Sequence, residues 1–254
     1  IIFESSPAMS DNTKAVFDEL LRRNYQKKYN LIWYLDDQKV AIYKNGKYVI
    51  FNPGKRNTFK ERISNFIFYG NRKCVIVCNK FISKESNEVY INLTHGSPLK
   101  SVNGYYTYPN YIDYVFAQSN CFISSLSADC NYDQNRIIAT GFPRNDVFFK
   151  NKISLTQLFG VSDINKTIIW LPTYRQHKNG MKTGSRNAIP LVNDYETAIR
   201  INDCLADNHI ILVLKPHYAQ DLSLIKRQKL SNMIVVDNSY LQEHNIDTYD
   251  LVAA

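Results

Sequence analysis

The sequence has no long hydrophobic run and few cysteines. Its longest apolar stretches are short pieces such as 210-IILVL-214, far below the roughly 20 residues that a membrane-spanning helix needs. The five cysteines are odd in number and irregularly spaced, which argues against a disulfide framework. Cys74 and Cys78 have apolar neighbours in CVIVC, so we expect them to act as small hydrophobic residues of a buried strand. These features favour the reducing cytoplasm over secretion.

Several short motifs with well-understood chemistry are also missing. The chain has no HExxH, no paired CxxC and no Asp-rich cluster, so no dedicated transition-metal site is expected. It also lacks GxGxxG, the Walker lysine loop and the GxSxG elbow of serine hydrolases. We therefore predict neither a metal ion nor a bound cofactor.

The balance of charge is the first positive indication. Thirty-one Lys and Arg residues against 23 Asp and Glu give a net charge of +8, while 44% of residues are hydrophobic. That composition excludes a disordered polyelectrolyte. The excess of positive charge favours nucleic acid, anionic lipid or a phosphate-bearing substrate as partner, with a generically basic surface as the alternative.

Apolar runs alternate with helical periodicity, which predicts βαβ units and a mainly parallel sheet. Two consecutive α/β runs predict two Rossmann-like domains, 1–150 and 151–254. An Asn-Gly pair at 45–46 predicts a hairpin with a type I′ turn. Because the chain begins at the end of a strand and ends within a helical segment, we expect it to be a fragment. Strands are predicted at 1–4, 30–35, 74–78, 89–93, 114–117, 136–139, 167–171, 210–215 and 233–237, and helices at 13–23, 58–69, 154–160, 193–207 and 221–230.

In open parallel sheets ligands bind beyond the carboxyl ends of the strands. The strand at 89–93 is followed by 94-THGSPLKS-101. His95 is suited to act as a general base near neutral pH, Gly96 to let the backbone turn tightly, and Pro98 to open a helix whose amides attract an anion. The alternative is a strand-to-helix turn in which His95 is merely hydrogen-bonded.

Three further strand exits carry basic side chains. The segment 140-TGFPRND-146 contains Arg144, whose guanidinium can bind phosphate, and Asp146, which is equally consistent with a helix cap. The other two exits are 172-PTYR-175 and 215-KPHY-218. Each of these two segments alone is consistent with ordinary exposed surface residues. Four strands that are each followed by a His or an Arg together indicate a site for an anionic ligand.

The segments NLTHGSPLK, TGFPRND, LPTYR and LKPHY, in this order, resemble the CDP-glycerol glycerophosphotransferase family of teichoic acid and capsule primases and polymerases. The usual forms in that family are HGTPLK, GxPRND, PTxR and KxHP. The opening FESSPAMSDNTKAVFDEL is similar to the first βα turn of the family, so the resemblance spans the whole chain. Ser97 stands where Thr is usual, Thr94 where an aromatic is common, and Tyr218 replaces the Pro after the second His.

The resemblance implies a glycosyltransferase-B architecture, in which two Rossmann-like domains face a cleft, with 1–150 on the acceptor side and 151–254 on the nucleotide-donor side. The second domain is expected to be incomplete, because the Asp-Tyr-Ser-Ser segment of the family would follow 250-DLVAA-254. By the resemblance His95 is the catalytic base and His217 contacts the donor pyrophosphate. The remaining residues at motif positions are expected to bind or position substrate: Gly96, Ser97, Lys100, Arg144, Asp146, Thr173, Arg175 and Lys215.

The implied reaction transfers glycerol phosphate from CDP-glycerol to a hydroxyl of a polyol-phosphate or glycan acceptor and releases CMP, without a metal. The implied location is the inner face of the cell membrane, as a peripheral cytoplasmic protein attracted to anionic lipid, with no nucleic-acid partner. Two alternatives stay open from the sequence. One is a transferase of the same fold that uses CDP-ribitol or a nucleotide-sugar. The other is a non-catalytic polyanion-binding domain of a wall or capsule assembly protein.

Overall fold

Parallel β-structure with connecting helices makes up both units into which the chain divides, Ile1–Asp146 and Val147–Ala254. Within the described residues no helix is long and apolar enough to cross a membrane. The computed structural model describes residues 1–36, 39–52, 58–60, 62–63, 72–85, 87–97, 107–150, 153–172, 192, 194–216, 230–244 and 246–254.

The first unit contains an eight-stranded sheet with the order β4-β3-β2-β1-β5-β6-β7-β8. Pairing is parallel from β2 through β1 to β8, and antiparallel between β2 and β3 and between β3 and β4. The predicted, mainly parallel sheet is therefore confirmed for this unit. The strands are β1 (Ile2–Glu4), β2 (Leu31–Asp36), β3 (Lys39–Lys44), β4 (Lys47–Phe51), β5 (Cys74–Val77), β6 (Val89–Asn92), β7 (Tyr114–Ala117) and β8 (Ile137–Ala139).

The antiparallel edge is the hairpin predicted from Asn45-Gly46. These two residues have φ values of 49° and 80°, the left-handed pair that a type I′ turn requires. Lys44 pairs with Lys47 across the turn. The hairpin prediction is thus confirmed.

Helix α1 (Asp11–Arg22) covers one face of the sheet. Its Phe17 is fully buried and meets Phe3 of β1 edge to face, with ring centroids 5.2 Å apart. The ring of Trp33 in β2 lies 5.4 Å from the same Phe17 ring. Because successive strand residues face opposite sides of a sheet, Ile2 packs on the other face with Tyr90. This packing holds the start of α1 beside the carboxyl ends of the strands.

The second unit has a three-stranded parallel sheet in the order β11-β10-β9. The predicted strands of both units are confirmed to within two residues at either end. Helices are also predicted at 58–69 and 221–230, but most residues of these two ranges lie outside the described part of the chain. Within the described residues, the strands after β8 are β9 (Lys166–Trp170), β10 (Ile210–Leu214) and β11 (Met233–Val235), and the α-helices after α1 are α2 (Ile123–Cys130), α3 (Leu155–Phe159), α4 (Tyr195–Asp207), α5 (Asn238–Glu243) and α6 (Thr248–Ala253).

Candidate functional site

The candidate site lies at the carboxyl edge of the first sheet. Because β1, β5, β6, β7 and β8 run parallel, the segments that follow them all leave the sheet at this edge. The segment after β6 carries His95, and the segment after β8 carries Arg144. Such an edge is where ligands bind in open α/β sheets.

The turn that leads to His95 is made by Thr94 and not by Gly96. Thr94 has a φ of 55°, a left-handed conformation that is costly for a β-branched residue. Its backbone N–H donates to Asn92 Oδ1 at 2.9 Å, and its hydroxyl donates to the carbonyls of Leu93 and Phe116 at 2.7 and 3.0 Å. These bonds hold the strained residue in place. The expectation that Gly96 makes the tight turn is wrong, because Gly96 has no positive φ and a Cβ there would meet nothing within 4 Å.

The His95 side chain is exposed. Its ring forms no hydrogen bond with another residue in the described part of the chain. The neighbouring Ser97 hydroxyl donates to Gln118 Oε1 at 3.0 Å. Pro98 and Lys100 lie outside the described residues. The imidazole is therefore exposed among the residues that the structure describes.

Arg144 is held against the start of α1. Its Nη1 forms an ion pair with Asp11 Oδ1, and the side chains are only 10% and 19% exposed. The guanidinium also lies 5.1 Å from the ring centroid of Phe142. Gly141, with a φ of 82°, provides the left-handed turn before it. The positive charge of Arg144 thus already has a carboxylate beside it.

Asp146 lies in the first turn of a 3-10 helix, Pro143–Phe149, and its side chain is exposed. A helix cap would precede the first turn, so the helix-cap interpretation of Asp146 is wrong.

One buried side chain connects these segments, and sequence reasoning missed it. The Asn12 carboxamide is fully buried, donates from Nδ2 to the carbonyl of Thr94 at 2.9 Å, and accepts the backbone N–H of Arg144 at 3.2 Å. An Asn near a helix start is most often read as a cap, and only the resemblance of the opening segment to a family turn pointed to this region. The structure therefore brings together the first βα turn, the His95 segment and the Arg144 segment.

A second buried group at this edge is the carboxyl of Glu4, the last residue of β1, which is 1% exposed. Its Oε2 accepts the backbone N–H of Lys80 at 3.0 Å. Burial raises the pKa of Glu4 to about 7, although the backbone amides of Lys80, Cys78 and Asn79 favour the charged form. Asn79 and Ser6 exchange two hydrogen bonds, at 2.7 and 2.8 Å. These contacts join the segments that follow β1 and β5.

In the second unit, Lys215 directly follows β10. Its Nζ donates to Asn238 Oδ1 and to the Pro216 carbonyl, each at 3.1 Å. Burial lowers the pKa of Lys215, and the nearby Asp237 opposes that shift. Thr173, Arg175 and His217 lie outside the described residues. Among the described residues, no three His, Cys, Asp or Glu side chains are grouped so that they could hold a metal ion.

The buried Glu4 carboxyl generates a pH prediction. Its folded-state pKa of about 7 lies above the ordinary 4.5, so folding takes up a proton between these pH values. Through this group, the free energy of unfolding should fall by on the order of 3 kcal/mol as pH rises across that window. In Glu4→Gln that component should be absent. Urea unfolding of both proteins between pH 4.5 and 8 measures it, and a difference in stability that stays constant across the window would contradict the assignment.

The fold and the motifs have known counterparts. The family model described as CDP-Glycerol:Poly(glycerophosphate) glycerophosphotransferase matches residues 1–253. The teichoic acid poly(glycerol phosphate) polymerase of Bacillus spizizenii is 24% identical, over 86% of this chain and 59% of its own length. The solved structure of the wall teichoic acid polymerase TagF has a TM-score of 0.66 at 20% identity, covering 99% of this chain and 63% of that one. A TagF variant soaked with CDPG gives 0.62 at 20% identity, covering 99% and 62%.

At this identity the likeness to TagF shows the fold, a mixed α/β architecture with a large parallel sheet. The chain spans about three-fifths of the length of these relatives, 59% and 63%. The family model, in contrast, covers nearly every residue of this chain. The chain therefore belongs to the CDP-glycerol:poly(glycerophosphate) glycerophosphotransferase family, whose members are transferases.

Proposed function

We propose that this protein transfers glycerol phosphate from CDP-glycerol to a hydroxyl of a teichoic acid or capsule polymer and releases CMP. The observation that supports this most directly is the exposed His95 at the carboxyl edge of the parallel sheet, in a chain of this family. The family description names the donor. The acceptor is proposed from the relatives, which are teichoic acid polymerases.

In the proposed reaction, His95 accepts the proton of the acceptor hydroxyl. The hydroxyl oxygen then attacks the β-phosphorus of CDP-glycerol and forms the new phosphodiester bond. The bond from that phosphorus to the bridging oxygen breaks, and CMP leaves with the electron pair. A histidine suits this role because its ordinary pKa lies near neutral pH. The exposed ring, which has no hydrogen bond to any described residue, leaves a nitrogen available for the hydroxyl.

The first unit also supplies groups around the reacting phosphoryl. We propose that Gly96, Ser97 and Lys100 bind phosphoryl oxygens, through backbone amides, a hydroxyl and an ammonium group. For Arg144 the ion pair with Asp11 supports a positioning role over direct binding of phosphate, because a phosphate would have to displace that carboxylate. Asp146 is assigned a positioning role as well.

We propose that residues 151–254 supply the donor site and residues 1–150 the acceptor site. Lys215 stands at the end of a parallel strand, where a fixed positive charge attracts a nucleotide phosphate. Thr173, Arg175 and His217 occupy the family motif positions in the same part of the chain, and His217 is assigned to the pyrophosphate. Fixed donors of this kind stabilise charge that develops on phosphoryl oxygens.

His95→Ala in the full-length protein should reduce the rate of CMP release from CDP-glycerol by about 10²–10⁴-fold, the usual contribution of a general base. The matched control is His244→Ala, since His244 is also exposed but lies in the second unit, directly after α5. That control should release CMP at close to the wild-type rate. If His95→Ala releases CMP at the wild-type rate, His95 is not the catalytic base.

Arg175→Ala and His217→Ala should each weaken CDP-glycerol binding about tenfold or more, because hydrogen bonds to charged groups are worth roughly 1.5–3 kcal/mol. Calorimetric titration of the full-length protein measures this. Arg200→Ala is the control, since Arg200 lies in α4 and its guanidinium contacts the Thr197 hydroxyl. If both variants bind CDP-glycerol with wild-type affinity, the donor site must lie elsewhere. If the wild-type protein binds CDP-ribitol more tightly than CDP-glycerol, the proposed donor is wrong.

We also propose that the protein acts at the cytoplasmic face of the membrane, where its net charge of +8 favours contact with anionic lipid. Such attraction is screened by salt. Cosedimentation with vesicles of phosphatidylglycerol should therefore decrease steeply between about 0.05 and 0.5 M NaCl, and vesicles of phosphatidylcholine should capture little protein at either concentration. Equal binding to both kinds of vesicle would refute an electrostatic contact.

A further inference from the structure

The Asn12 carboxamide is bonded to two segments that lie 82 and 132 residues away in sequence. Its nitrogen bonds to the Thr94 carbonyl and its oxygen to the Arg144 amide, as described above. The adjacent Asp11 pairs with the Arg144 side chain. The carboxamide is planar and its oxygen and nitrogen have a fixed separation. One rigid group therefore sets the spacing of the two segments.

The carbonyl that Asn12 holds belongs to the peptide bond between Thr94 and His95. A peptide unit is planar, so fixing this carbonyl also fixes the backbone nitrogen and Cα of His95. The Asn12 bond also adds to the hydrogen bonds with Asn92 and Phe116 that hold the left-handed φ of Thr94. The Cys78 thiol donates to the same carbonyl at 2.8 Å, so this carbonyl keeps one hydrogen bond when Asn12 is removed.

We propose that Asn12 is a positioning residue of the transfer reaction, which holds His95 at the orientation needed to accept the acceptor proton. The inference rests on the proposed function. Asn12 itself is fully buried, and the proposed role needs no contact with substrate. It acts through the Thr94 carbonyl, and its loss should affect catalysis through His95 rather than through donor binding.

In the full-length protein, Asn12→Ala should lower kcat for CMP release about 10–100-fold, since small misplacements of a catalytic group have effects of that size. The KM for CDP-glycerol should stay within about threefold of wild type. In a His95→Ala background, adding Asn12→Ala should change kcat by less than about threefold, because the group that it positions is absent. A full multiplicative effect in that background would overturn the proposal, as would unchanged kcat in a folded Asn12→Ala protein.

The control is Asn202→Ala. Asn202 is also a nearly buried helical asparagine, and its Oδ1 accepts the backbone N–H of Asn232 at 2.9 Å, before β11 and away from the carboxyl ends of the strands. This variant should lose stability but keep its kcat. If Asn12→Ala does not fold, Asn12→Ser is assayed by the same criteria, because serine is well tolerated at a helix start.

Hydrogen exchange separates failure of this inference from failure of the proposed function. Amides of 93–97 should exchange faster in Asn12→Ala than in the wild type or Asn202→Ala. A wild-type protein that releases no CMP overturns the proposed function and the catalytic effect assigned to Asn12. Equal exchange at 93–97 in all three proteins overturns the positioning itself.

Discussion

The parallel alignment of β1, β5, β6, β7 and β8 is the constraint on which the candidate site depends. Consecutive parallel strands must be joined by a segment that crosses back over the sheet, so the segments that follow these strands all begin at the same edge. Residues as far apart in sequence as Asn12 and Arg144 therefore meet there. The packing of Phe17 on Phe3 and Trp33 adds the start of α1 to this edge. The same constraint that builds the core thus assembles the site.

Burial at this edge has a cost, because a buried polar group without a partner is unfavourable by roughly 1–3 kcal/mol. Glu4, Asn12 and Thr94 are all buried, and each has hydrogen-bond partners from another segment. These bonds join each buried polar group to a neighbouring segment of the chain. Because a buried polar group needs a hydrogen-bond partner, these bonds also help to fix the geometry of the segments that carry His95 and Arg144.

Most elements of the fold follow from local patterns in the sequence. Alternating apolar runs predict the strands, and Asn45-Gly46 predicts the hairpin, because these signals depend on neighbouring residues only. The site is less accessible to such reasoning. The sequence pattern assigns the tight turn to Gly96, which follows His95, whereas the left-handed residue is Thr94, which precedes it and is held by hydrogen bonds to Asn92 and Phe116. Partnerships across 82 or 132 residues leave no local signature.

A contrast between two neighbouring residues, Thr94 and His95, connects this architecture to the catalytic role proposed for His95. Thr94 is buried and bonded on every polar atom described above, whereas the ring of the next residue, His95, is exposed. A catalytic base needs an accessible nitrogen, but it also needs a fixed backbone so that no free energy is lost in orienting it during reaction. A strained, fully bonded residue before an exposed imidazole meets both needs. In the proposed reaction, the polar network at the sheet edge therefore supports His95, and the strained Thr94 lies directly before it.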